Sequence, residues 1–123
     1  MIHVDWGNLE ESLIVWKIGA YWSMSAFHEA FTRTQWLLRT KTHKVHILLD
    51  LQRVDYIDPD MICPIFTSVQ HHPPHVGRTV IISENPRWQA LWDDLMAARD
   101  PHRAIYFVRS ANEAYHLVAD VLL

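Results

Sequence analysis

Apolar and polar positions alternate along this chain with two different periods. Ile2, Val4 and Trp6 alternate with His3 and Asp5, the period of a half-buried strand. Gly7-Asn8 opens a turn, and LIVWKI (13–18) supplies a second strand, so the short connection predicts an antiparallel hairpin. In SMSAFHEAFTRTQWLLRT (23–40), Phe27, Ala30, Phe31, Thr34, Leu37 and Leu38 fall on one helical face, with Ser23 or Ser25 as N-cap. At about 100° per residue Trp36 lies opposite that stripe, which predicts an exposed tryptophan and a candidate interface residue. VHILLDL (45–51) is nearly all apolar, as a central strand covered on both faces would be. Ile62, Ile65, Phe66 and Val69 then recur at helical spacing. Pro64 is tolerated only in the first turn, so the spacing predicts a helix over 61–71 that starts close to Asp60 or Met61.

RTVIIS (78–83) reads as a further strand, and Asn85-Pro86 as the N-cap and first position of a helix whose apolar face is Trp88, Leu91, Trp92 and Leu95. AIYFV (104–108) is the last strand. Ser110-Ala111-Asn112-Glu113 is a capping box for a helix burying Ala114, Leu117, Val118, Val121 and Leu122. The order β-β-α-β-α-β-α-β-α predicts an α/β fold: a five-stranded mixed sheet, first strand antiparallel, with helices packed on it. No repeat or linker interrupts it, so residues 1–123 read as one domain. Function in such sheets usually sits beyond the carboxyl ends of the parallel strands, which here means the loops 51–60 and 83–85.

Composition narrows the function classes. Half of the 123 residues are hydrophobic and a fifth charged, a globular balance. The net charge of −3 gives no electrostatic footprint for nucleic acid. A single cysteine, Cys63, excludes an internal disulfide framework and fits a reducing compartment. No signal-like N-terminus and no long apolar run is present, so the expected setting is cytoplasmic, without membrane insertion. With three glycines in all, and no GxGxxG, GxxxxGK[ST], CxxC or GxSxG, a phosphate-cradling loop is nearly excluded.

The stretch DYIDPDMIC (55–63) concentrates acidic residues where a strand hands over to a helix. Asp58 and Asp60 suit a helix start, where they satisfy free N–H groups and the helix dipole. A Mg²⁺ site with Asp50 is the competing chemistry, but no glycine loop or catalytic lysine accompanies it. Cys63 beside Ile62 and Ile65 reads as a small buried hydrophobe rather than a nucleophile. His71, His72 and His75 in HHPPH invite a zinc reading, yet four ligands are lacking, and a solvated loop is expected.

Around these residues the chain resembles the STAS domains, the fold of bacterial anti-sigma factor antagonists of the SpoIIAA type. Those domains share the order of elements and carry Asp-Leu-Ser, then Val-x-x-Ile-Asp-Ser-Ser-Gly running into a helix. Asp50, Leu51, Val54, Ile57 and Asp58 match that pattern. Pro59, Asp60 and Met61 stand where the family has Ser, Ser and Gly, so the hydroxyl that accepts phosphate there is missing. The resemblance implies a single STAS-like domain that is not an enzyme, takes no cofactor or metal, and binds a protein partner of the anti-sigma or kinase-like kind, with a homodimer also allowed. The implied surface is Tyr56, Asp58, Pro59, Asp60 and Met61, joined by Ser83 and Glu84 from the neighbouring loop. The rival expectation is a small-ligand binding protein or enzyme, for an apolar or nucleotide ligand, using the same crevice. A deep enclosed pocket there favours the rival, and a flat or convex surface favours docking.

Overall fold

The computed structural model describes residues 2–54, 64, 67, 71–96 and 105–121. Its strands are β1 (Ile2–Trp6), β2 (Leu13–Ile18), β3 (Val45–Asp50), β4 (Val76–Ile82) and β5 (Ile105–Val108). Its helices are α1 (Met24–Arg39), α2 (Arg87–Met96) and α3 (Ala111–Leu117), with a 3₁₀ turn over Ala119–Val121. The strands form one sheet in the order β1-β2-β3-β4-β5. β1 runs antiparallel to β2, and β2 to β5 are parallel to one another. The protein is therefore α/β with a five-stranded mixed sheet. The helix expected over 61–71 lies outside the described residues, apart from Pro64 and Thr67, both helical, and His71, which is already in a turn.

Side-chain alternation along the strands builds two cores. Ile14, Trp16 and Ile18 of β2, with Val45, Ile47 and Leu49 of β3, face Phe27, Ala30, Leu37 and Leu38 of α1 and Trp88 of α2. The other face carries Leu13, Leu48, Val80 and Ile82, covered by Ala114 and Val118. Burial on both faces explains why β3 is almost uninterruptedly apolar. Trp16 and Phe27 meet at 5.8 Å between ring centroids. Trp16 Nε1–H also donates to Thr34 Oγ1 at 2.8 Å, and that hydroxyl donates to Ala30 O at 2.9 Å. A threonine on the buried stripe of α1 is thus the acceptor that lets a tryptophan lie in the core.

The β1–β2 turn is organised by one residue. Asn8 Oδ1 accepts from Ser12 N and Leu13 N at 3.0 and 3.1 Å, and Asn8 Nδ2 donates to Ser12 Oγ at 2.7 Å. Glu11 takes a left-handed φ of 54° in this turn. Lys41 holds its carboxylate at 3.4 Å and His43 Nε2 donates to its carbonyl at 3.0 Å, tying the turn to the end of α1.

Three sequence expectations need correction. β4 begins at Val76 rather than 78, because a bulge opposite His46 adds one residue and carries the pairing back toward Val45. The last helix is shorter than its apolar pattern suggests: it ends at Leu117, Val118 is its C-cap, and the chain tightens into the 3₁₀ turn. HHPPH is not simply a solvated loop. His71 is exposed, but His72 is buried, takes a hydrogen bond on Nδ1 from Gln35 Nε2 at 3.0 Å, and lies 6.1 Å from the Phe31 ring. His75 Nε2–H donates to Leu38 O at 3.1 Å. These histidines turn to separate partners on α1, and among the described residues no three His, Cys, Asp or Glu side chains gather as a metal site would require.

Candidate functional site

The carboxyl ends of β2 to β5 lie at one rim of the sheet, as parallel pairing requires. There β4 runs into Ser83, whose backbone N–H stays in the ladder with Val108 O at 2.9 Å. Ser83 Oγ accepts from Asn85 N at 3.1 Å, and Asn85 Oδ1 accepts from Arg87 N at 3.0 Å. The loop is thus a serine turn followed by the expected asparagine cap of α2. Glu84 at its tip is exposed. A groove of about 350 Å³ runs beside it, lined among others by Ser83, Glu84, Asn85, Trp88, Phe107 and Arg109.

A second cleft, of about 510 Å³, lies at the other half of the same rim, lined by His3, Lys17, Ile18, Gly19, Asp50 and Arg53. The sheet register sets His3 opposite Lys17 and Lys17 beside Asp50. Asp50 Oδ1 accepts from Gln52 N at 3.0 Å and fixes the turn leaving β3. Sequence reasoning missed His3, Lys17 and Arg53. The signal available was a polar residue near the start of β1, near the end of β2 and just after β3.

Of the predicted surface, the structure places Ser83 and Glu84 side by side on one loop. Tyr56, Asp58, Pro59, Asp60 and Met61 lie outside the described residues, as does Cys63. Trp36 is 61% exposed, as its phase on α1 requires. It does not share the rim, however. α1 leaves the carboxyl end of β2 and descends to the amino end of β3, and Trp36 lies near its lower end.

An acid–base pair does exist at the amino ends of the strands. His46 is 2% exposed, its Nε2–H donates to Asp120 Oδ1 at 2.8 Å, and its Nδ1 accepts from Arg78 N at 2.7 Å. Gly77 makes room: a Cβ there would collide with the imidazole. The hydrogen bond from His46 holds the Asp120 carboxyl below its ordinary value, against an opposing cost of burial, and Lys44 at 3.4 Å adds to the lowering. Both ring nitrogens are engaged, so the imidazole offers a substrate neither a lone pair nor a proton. The pair is a clasp that satisfies the bulge N–H and pins the C-terminal turn to the sheet.

Comparison of the chain with protein-family models, with curated proteins and with solved structures gives no match. The resemblance to STAS domains therefore rests on the matching residues around Asp50 and Asp58 and on the order of elements. No helix among the described residues is long and apolar enough to cross a membrane.

Proposed function

We propose that the chain is a non-catalytic, STAS-like protein-binding module whose docking surface is the rim of Tyr56, Asp58, Pro59, Asp60, Met61, Ser83 and Glu84. The observation that carries this reading is the sheet order. Neighbours in the sheet are neighbours in sequence throughout, and both described crossover helices, α1 and α2, pack on one face. The described sheet therefore has no point where the strand order reverses, the geometry that opens a ligand crevice in doubly wound folds. Neither groove at the rim is a closed cavity, and charged side chains stand in both, Glu84 and Arg109 in one and Lys17, Asp50 and Arg53 in the other, which supports a docking partner over a deeply buried apolar small molecule. The sequence resemblance supplies the position of the switch. Asp60 stands where the family's serine takes up a phosphate of about −1.5 to −2 charge, so this surface carries a fixed single charge instead.

The test is capture from extracts of the native organism by wild type, Asp60→Ser and Glu84→Arg. A docking surface at the rim requires one protein whose retention changes in both variants while the fold, read by circular dichroism, does not. Equal retention by all three folded forms overturns the reading.

A further inference from the structure

The outward face of α1 is built to meet a copy of itself. α1 spans 16 residues, about 24 Å of helix. Opposite its buried stripe, Glu29, Thr32, Trp36 and Arg39 follow one another along the exposed side, and all four are solvent-facing. Trp36 stands between two shallow surface hollows that share Thr32. One, of about 490 Å³, is lined by His28, Glu29, Thr32, Arg33 and Trp36; the other, of about 270 Å³, by Phe31, Thr32, Gln35, Trp36 and Arg39. Among the described residues neither Glu29 nor Arg39 has an ion-pair partner, whereas neighbouring Arg33 is engaged by Val4 O at 2.8 Å and Asp5 at 3.7 Å.

From this arrangement we infer that α1 pairs antiparallel with α1 of a second copy, about a two-fold axis passing beside residue 34. That axis sets Trp36 of each copy over Thr32 of the other, so the bulky indole lies across a shallow hollow floored by a small side chain. It sets Glu29 of each copy against Arg39 of the other, two opposite-charge pairs flanking the paired tryptophans. An isologous contact demands this kind of self-complementarity: the same patch must present both members of every pair. A uniformly acidic or basic partner would meet a like charge at one end of the strip, and a purely apolar one would leave Glu29 and Arg39 facing apolar surface. One helix face per copy is small for an interface, so association is weak and depends on concentration. The surface lies away from the rim and is independent of the reading given for it.

Sedimentation equilibrium on the full chain, over a series reaching millimolar concentration, tests the pairing. The wild type moves from monomer to dimer across the series, and Trp36→Ala stays monomeric. Glu29→Arg and Arg39→Glu, each placing like charges together twice, weaken association about tenfold or more. The double variant Glu29→Arg/Arg39→Glu restores it, because the pairs re-form with sign exchanged. A wild type that stays monomeric throughout overturns the inference, as do single swaps without effect or a double swap that fails to recover. All three substituted positions are exposed, and unchanged thermal midpoints establish that each variant is folded.

Discussion

At the scale of single residues, stability rests on a few polar atoms inside apolar surroundings. Thr34 Oγ1 is the acceptor for Trp16 Nε1 in a site fully closed to water. Thr34→Val keeps the shape and removes the acceptor, leaving a buried indole N–H unpaired. The expected loss is about 1–3 kcal/mol in urea denaturation, with most of it recovered in Thr34→Ser. A loss no larger in Thr34→Val than in Thr34→Ser would show that the hydrogen bond contributes little. Thr34 was legible in the sequence because it occupies a position on the apolar stripe of α1. His46 was not: within VHILLDL nothing distinguishes a buried histidine from an outward one until Arg78 N, Gly77 and Asp120 are known to surround it. His72 escaped for a similar reason, since its partners Gln35 and Phe31 lie a whole element away.

At the scale of elements, periodicity placed every strand and both described long helices, and the caps at Ser23, Asn85 and Ser110 were readable from residue type. Errors fell where tertiary contacts override local pattern, at the β4 bulge and at the early end of α3. Of the candidate site, Ser83 and Glu84 were legible because a loop must follow an apolar strand. The cleft at His3, Lys17 and Asp50 was not, because it exists only once the register is known. The end of α3 is also where acid should act. Asp120 has a folded-state pKa below its ordinary value of 3.8. Its contribution is therefore complete above that value and is lost as pH falls through the lower, folded one. Asp120→Asn should lower stability near neutrality and flatten the decline below about pH 4, since no carboxylate remains there to protonate. Equilibrium unfolding from pH 2 to 7 reads this directly, and an unchanged acid limb in the variant would remove Asp120 from the account.

For the molecule as a whole, β3 is paired on both sides and covered on both faces, whereas β1 and β5 are edges. Native-state hydrogen exchange should find the slowest amides at Ile47, Leu48 and Leu49, opening only with global unfolding, and faster exchange in β1. Equal protection in β1 and β3 would mean that the hairpin edge is held by more than its own ladder. The order of the sheet has a further consequence, in time rather than in space. Every strand pairs with the one made just before it, so no strand must wait, unpaired, for a partner still to be synthesised. Closing distances along the chain stay short, and the growing edge at any moment is only the latest strand, opposite the permanent edge at β1. On a ribosome the hairpin could set first and each later strand add to the finished edge, so that the sequence of manufacture and the sequence of assembly coincide.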